Sequence, residues 1–175
     1  MLWYLRGTSD HCIIYNGCGD SICGYVDVDY AGDLDKRRST TGYAFTLASG
    51  AISWMSKLQE TVALSTNEVE YIAASDAYKE AILLKGLLDE LGRMQEKVNV
   101  FCDSQSAIHL PTDPSHYNKT KHIDVRYHFV RHVIDVGKPT LKKVHTQENH
   151  VVIFRKQVIV EKLGWRLTSF GLQKR

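Results

Sequence analysis

Carboxylate residues stand at three places in this chain that solvation alone does not explain. Asp27 lies within an alternating apolar segment, and Asp29 follows it on the same face of the expected strand. Glu68 opens a long amphipathic segment, and Asp103 directly follows the apolar run at residues 98–102. Carboxylates that come together repel one another unless a cation neutralises them, and ligand sets made only of oxygen favour Mg²⁺ or Mn²⁺. The pattern therefore indicates a candidate divalent-metal site.

Each of these acids also has a purely structural explanation. Glu68 follows Ser65 at the S-x-x-E spacing of a capping box, which marks the start of a helix. Asp103 is a suitable N-cap for a following helix, and Asp29 is a suitable turn residue. Spacing alone leaves both explanations open. Whether the acids meet depends on the elements that carry them.

The segments around the acids show the two periodicities of an α/β fold. Strand-type alternation comes first, and helical spacing of apolar residues then extends for about seven turns beyond Ser65 until Gly92 ends it. The predicted elements are a strand at 21–30, hairpin strands at 42–47 and 51–55, the capped helix, a strand at 98–102, helices at 104–110 and 122–136, and a strand at 140–145. This order predicts a mixed α/β domain, in which strand ends and helix starts converge on a site.

Composition limits the class of protein. Over 175 residues, 43% hydrophobic and 24% charged side chains are typical of one globular domain. No apolar run is long enough to span a bilayer, so we expect no membrane partner. Residues 1–10 lack the regions of a signal peptide, and the four cysteines form no C-x-x-C pair, which favours reduced thiols. We therefore expect a cytoplasmic or nuclear location and no secretion.

The net charge of +2 combines two unlike parts of the chain. Residues 1–115 contain 9 Lys and Arg against 16 Asp and Glu, whereas residues 116–175 contain 13 against 4. Such asymmetry points to contact with a polyanion more clearly than the total charge does. The alternative is that solvated faces happen to segregate along the chain. The charge pattern therefore suggests a nucleic-acid partner without deciding it.

Several long motifs occur in a fixed order: GYVDVDYAGDLDKRRSTTGYAF, STNEVEYIAASDAYKEAILL, CDSQSAIHL and TKHIDVRYHFVR. Together they closely resemble the ribonuclease H domain of copia-type retrotransposon Pol polyproteins, over about residues 2–146. The opening WYLRGTSD is similar to the segment that joins reverse transcriptase to that domain. The resemblance implies a ribonuclease H-like α/β fold with a mixed five-stranded sheet and flanking helices. It divides the chain into a linking remnant at 1–20, the domain at 21–152 and a divergent tail at 153–175.

The resemblance also implies an activity, which is hydrolysis of the RNA strand of an RNA–DNA hybrid. Members of the family use two divalent ions, Mg²⁺ or Mn²⁺, held by four acidic residues. The motifs assign the first three acids to Asp27, Glu68 and Asp103, as catalytic residues and metal ligands. Asp29 and Glu70 lie two residues further along the same motifs and are the alternative assignments.

The position of the fourth acid departs from the family pattern. The segment VHTQENHVVIFRK has Val152 where the family has aspartate, and a valine side chain holds no metal. We therefore expect impaired hydrolysis, with Glu148 as a possible substitute if the segment is helical. The alternative is a catalytically inactive remnant that at most binds nucleic acid. A third reading is an unrelated α/β interaction domain, in which the acids stay apart.

Contacts to an RNA–DNA hybrid are expected from two groups of residues. Gln105 and Ser106 are candidate donors to 2′-hydroxyls in the minor groove. Seven basic residues are candidates for phosphate contacts that do not depend on base sequence, namely Lys119, Lys121, His122, Arg126, Arg131, Lys142 and Lys143. The resemblance further implies the reverse transcriptase portion of the same polyprotein as a partner in a full-length chain.

Overall fold

The computed structural model describes residues 2–17, 19, 21–33, 35–105, 108, 129, 132, 139–154 and 160–175. Its helices are α1 (Leu2–Gly7), α2 (Thr66–Glu90), a 3₁₀ helix (His150–Phe154) and α3 (Val160–Ser169). Its strands are β1 (His11–Ile13), β2 (Cys23–Asp29), β3 (Thr40–Leu47), β4 (Gly50–Leu58), β5 (Asn99–Cys102), β6 (Thr140–Lys143) and β7 (Leu172–Lys174). Most of the helices predicted at 104–110 and 122–136 lies outside the described residues.

Five strands form one mixed sheet in the order β4-β3-β2-β5-β6. Strands β2, β3 and β4 are antiparallel neighbours, whereas β5 runs parallel to both β2 and β6. The predicted mixed five-stranded sheet is therefore confirmed. In the parallel register Val26 lies opposite Cys102, so that Asp27 and Asp103 each come one residue later. The sheet thus brings these two acids to the same edge.

Helix α2 covers one face of the sheet. The hydroxyl of Ser65 accepts the backbone N–H of Glu68, which fixes the start of the helix as the capping box predicted. Gly92 follows the end of the helix with a φ of +74°, the left-handed conformation that glycine adopts readily. The core between sheet and helix is built from small, branched and aromatic side chains, chiefly Ile22, Val26, Phe45, Ala73, Ala77, Ala81, Val98 and Val100.

The opposite face of the sheet is covered by the C-terminal part of the chain. Val151 and Phe170 are buried with Ala44 and Ala51 in a second apolar cluster. Strand β7 pairs antiparallel with β1, where Cys12 lies opposite Gln173. The described residues of the expected tail therefore pack onto the domain, and the predicted boundaries at residues 20 and 153 stay predictions. None of the helices in the described part has the length and apolar character that crossing a bilayer requires.

Candidate functional site

A polar cavity of about 120 Å³ lies where β2 and β5 end and α2 passes. Three carboxylate residues line it, one from each of these elements or its immediate end: Asp27, Glu70 and Asp103. Its remaining lining residues are Val26, Val28, Ala73, Cys102 and Ser104. Two of the three predicted acids therefore meet, and a neighbouring glutamate joins them.

Asp27 is held in place by the strand that contains it. Only 3% of its surface is exposed, and its Oδ1 accepts the backbone N–H of Val28 at 2.8 Å. Opposite Asp27 on β3 lies Gly42, which has no side chain to fill the space above the sheet. A buried carboxylate is costly unless its oxygens are bonded, and this hydrogen bond meets part of that requirement.

Glu68, predicted to be the second acid, has a different partner. Its carboxylate Oε2 accepts the backbone N–H of Leu64 at 2.9 Å, and its own N–H donates to Ser65. Glu70 instead lines the cavity, and its carboxylate accepts the hydroxyl hydrogen of Ser104. Residues two apart on a helix point in nearly opposite directions, so only one of the two glutamates can face the strand ends. The described geometry therefore places the alternative assignment, Glu70, in the cavity.

The charges of the cavity act on the thiol of Cys102. The pKa of this thiol is raised to about 12, chiefly by burial; the N–H of Ser104 lowers it, and the negative charges of Asp103, Glu70 and Asp27 raise it. That N–H donates to the sulfur at 3.3 Å. One buried group thus experiences all three carboxylates, so the cavity has a concentrated negative potential.

The carboxylates match a hard divalent cation by their chemistry. Within the described ranges, no three His, Cys, Asp or Glu side chains are grouped closely enough to hold a metal ion together. Oxygen donors are nevertheless the ligands that Mg²⁺ and Mn²⁺ prefer, and a cation would neutralise the charges that meet at Cys102. The cavity supplies the kind of ligand that such an ion needs.

Val152, which the resemblance puts at the fourth acidic position, lies on the 3₁₀ helix beside β2 and β3 and is not among the residues that line the cavity. Val152 is 9% exposed, and the side-chain Nδ2 of Asn149 ties this segment to the carbonyl of Val26 at 2.9 Å. A Cβ at Gly42 would come within 3.2 Å of Val151, so glycine permits the close approach of the helix. Glu148 is exposed and precedes the 3₁₀ helix, and it does not line the cavity, so nothing here favours it as a substitute ligand.

Comparison with known proteins agrees with this architecture. The chain is 50% identical over 158 residues to the retrovirus-related Pol polyprotein from transposon TNT 1-94 of Nicotiana tabacum, a match that covers 90% of the chain and 12% of the polyprotein. The structure of LC11-RNase H1, isolated from compost by a metagenomic approach, superposes with a TM-score of 0.56 at 17% identity, over 77% of this chain and 92% of that one. The same enzyme in complex with an RNA/DNA hybrid gives a TM-score of 0.53 at 17% identity, over 74% and 88%. No family model matches.

The chain is a ribonuclease H-like domain related to copia-type Pol polyproteins. The likeness to the compost enzyme shows its fold, and the sequence match aligns it with one part of a much longer polyprotein. This ribonuclease H-like domain spans about an eighth of the length of that relative.

The ribonuclease H-like domain places three of the predicted nucleic-acid contacts at the same edge as the cavity. Gln105, Lys142 and Lys143 are all exposed, and the Nζ of Lys143 donates to the Oε1 of Gln105 at 3.1 Å. The other predicted contacts lie outside the described residues: Ser106, Lys119, Lys121, His122, Arg126 and Arg131.

Two residues near the site were not singled out by spacing. Glu70 was available from its motif as the second glutamate of STNEVE, and the face of α2 that packs on the sheet decides in its favour. Asn149 had no sequence signal, because its bond to Val26 joins residues 123 positions apart. Long-range contacts of this kind have no periodicity from which they can be predicted.

Proposed function

We propose that this ribonuclease H-like domain is a divalent-metal-dependent nuclease that hydrolyses the RNA strand of RNA–DNA hybrids, at a rate reduced by Val152. The observation that carries the proposal is that Asp27, Glu70 and Asp103 line one cavity at the edge of a ribonuclease H sheet. The complex of LC11-RNase H1 with an RNA/DNA hybrid supports the class of substrate.

The three carboxylates are the residues that would hold Mg²⁺ or Mn²⁺. When bound, divalent metal supplies activation of the attacking water and stabilisation of the leaving oxygen. Asp27 brings to this a backbone position fixed in the middle of the sheet, and Ser104 orients Glu70 by donating to its carboxylate. The Cys102 thiol stays protonated at neutral pH because its pKa is raised to about 12, so it adds no further negative charge.

The substrate contacts proposed for the domain lie beside the cavity. Gln105 is proposed to read 2′-hydroxyls, and Lys142 and Lys143 to bind phosphates; their exposure near the end of β5 and β6 supports this. Six further contacts are proposed from sequence alone, namely Ser106, Lys119, Lys121, His122, Arg126 and Arg131. In a full-length polyprotein, the reverse transcriptase portion is the proposed partner.

A second candidate function is binding of nucleic acid without cleavage, and Val152 is the observation that favours it. An aliphatic side chain at the fourth position offers no oxygen to a metal, so the site depends on three carboxylates. Binding through phosphates requires none of them. The two candidate functions therefore differ in whether the cavity hydrolyses the RNA strand.

The deciding experiment is a cleavage assay on a hybrid whose RNA strand is end-labelled, with Mg²⁺, Mn²⁺ or a chelator. Metal-dependent cleavage of the hybrid is expected, with double-stranded DNA of the same sequence left intact. Asp103→Asn provides the matched control because it keeps the volume of the side chain and removes its charge.

Cleavage that persists in the Asp103→Asn variant would reveal a contaminating nuclease and contradict the proposal. Absence of cleavage by the parent chain, together with binding that weakens steeply as salt rises, would establish the binding function instead.

A further inference from the structure

A buried arginine lies in the C-terminal segment. Arg166 of α3 is only 7% exposed, and its guanidinium donates from Nη1 to the backbone carbonyl of Asn149 at 2.6 Å. Arginine is almost always exposed because burying its charge is costly unless the group is well bonded. A buried cation therefore binds the backbone of the segment that precedes Val152.

Asn149 in turn is hydrogen-bonded to β2, the central strand of the sheet. Its side chain is fully buried, its Nδ2 donates to the carbonyl of Val26 at 2.9 Å, and its Oδ1 accepts the N–H of Val151 at 3.3 Å. The asparagine thus holds both the first turn of the 3₁₀ helix and the backbone of β2. The bond to Val26 joins the residue before the 3₁₀ helix to β2, next to the ring contact between His150 and Tyr25.

The endpoint of this chain of contacts is the residue before Asp27. The parallel pairing of β2 with β5 ends at Val26 and Cys102, so the strand loses its neighbour on that side where the acid begins. A hydrogen bond from Asn149 constrains the backbone at this point. A peptide unit that turns by a small angle here moves the carboxylate of Asp27 relative to Glu70 and Asp103.

We propose that Arg166 is a positioning residue: through Asn149 it fixes the β2 backbone at Asp27, and with it the 3₁₀ helix that carries Val152. Helix α3 then contributes to the geometry of the site, although none of its described residues lines the cavity. This inference rests on the proposed function for its effect on metal binding, whereas its structural part stands without metal. The hydrogen bonds of Arg166 to Asn149, and of Asn149 to Val26 and Val151, also explain why the 3₁₀ helix stays packed against the sheet although it offers no ligand.

The test uses Arg166→Met, which keeps the aliphatic stem and removes the donors. The matched control is Lys174→Met, which removes a cation from the same segment at an exposed ion pair with Asp10. Backbone and side-chain amide signals are recorded by NMR without metal, and Mg²⁺ is then titrated to obtain its dissociation constant. All measurements are made well below the melting temperature of each variant.

Arg166→Met is expected to shift the signals of Val26, Asp27 and the Asn149 side-chain amide, and to weaken Mg²⁺ binding about tenfold, as changes behind a metal ligand commonly do. Lys174→Met should leave both unchanged. Arg166→Lys, which keeps the positive charge and one donor nitrogen, should restore part of the affinity. Asn149→Ser removes the bond to Val26 and should reproduce the Arg166→Met pattern, which keeps the test available if Arg166→Met does not fold.

A lower melting temperature with signals at Val26 and Asp27 and a Mg²⁺ affinity like those of the parent would overturn the inference, because Arg166 would then be merely structural. Parent-like behaviour of Asn149→Ser would overturn it as well. If the parent chain binds no Mg²⁺ at all, the proposed function fails. The signals recorded without metal then test by themselves whether Arg166 fixes the β2 backbone through Asn149.

Discussion

The carboxylate cavity and the 3₁₀ helix that carries Val152 differ in whether they supply acidic side chains. On one side, β2, α2 and β5 bring Asp27, Glu70 and Asp103 to a single cavity. On the other side, the 3₁₀ helix is held against the sheet by Asn149, yet it carries Val152 where related sequences are expected to have aspartate. The proposed place of Val152 in the site implies that the backbone framework of a site and its ligands are separable. Packing and hydrogen bonds preserve the framework even where the ligand is absent.

The largest effect is expected on the carboxylate side, from Asp27→Asn. The substitution keeps the side-chain volume and removes the charge, so Mg²⁺ affinity should fall by more than about 100-fold in calorimetric titration. Asp29→Asn is the control, since the Asp29 carboxylate lies against Gly32 in the next loop and does not line the cavity. An equal loss in both variants would place the metal elsewhere.

A second comparison separates the two glutamates of α2. Glu70→Gln should weaken Mg²⁺ binding by at least about tenfold, because it removes a charge from the cavity. Glu68→Gln should leave Mg²⁺ affinity unchanged and lower the free energy of unfolding by about 1 kcal/mol, because it weakens the side-chain acceptor of the Leu64 N–H before the helix. Metal titration and chemical denaturation of both variants check this. The reverse pattern would restore Glu68 as the ligand.

Val152→Asp introduces a carboxylate on the 3₁₀ helix at the expected fourth acidic position. If the 3₁₀ helix holds its residues in the framework of an active site, Mg²⁺-dependent cleavage should rise by about tenfold, or roughly 1.4 kcal/mol of transition-state stabilisation. The added charge should lower the melting temperature without metal and allow Mg²⁺ to restore it. Val152→Asn is the isosteric control. No gain from Asp over Asn would show that the two sides are not parts of one site.

The smallest effect concerns pH and the start of the 3₁₀ helix. His150 is packed between Tyr25, with ring centroids 4.8 Å apart, and Trp165 at 5.0 Å. Burial lowers its pKa, the charge of Arg166 lowers it further, and Glu148 raises it. The unfolded chain therefore binds a proton more readily than the folded chain, so stability is full above about pH 6.5 and falls below it.

Replacing His150 by Phe should remove that acid-side loss of stability. The difference in melting temperature between pH 7.5 and pH 5 should shrink in His150→Phe, whereas the exposed His145 provides the control in His145→Phe. A pH dependence that His150→Phe leaves unchanged would assign the titration to another group.

The sequence predicted most of the sheet and α2 because their signals are local. Alternation locates the strands, and Ser65 and Gly92 mark the two ends of the helix. The parallel alignment of β2 and β5 then follows from the order of elements, which explains why Asp27 and Asp103 were predicted to meet. The choice between Glu68 and Glu70 depends on which face of α2 packs against the sheet. The sequence alone does not decide this, because both glutamates fit the motif.

The C-terminal part was not predictable in the same way. Strand β7 is three residues long and pairs with β1, more than 150 residues away in sequence, so it has no pattern of its own. The bonds of Arg166 to Asn149 and of Asn149 to Val26 are side-chain contacts between distant segments. Such contacts follow from packing, and a divergent sequence gives no indication of them.

The most direct test of the central claim is NMR line broadening by substoichiometric Mn²⁺, which marks the amides close to a bound metal. Broadening is expected at Val26, Asp27, Val28, Glu70, Cys102, Asp103 and Ser104, to be competed by Mg²⁺ and to be absent in Asp27→Asn. Broadening centred on another part of the chain, or unchanged in Asp27→Asn, would contradict the claim that these three carboxylates form one divalent-metal site.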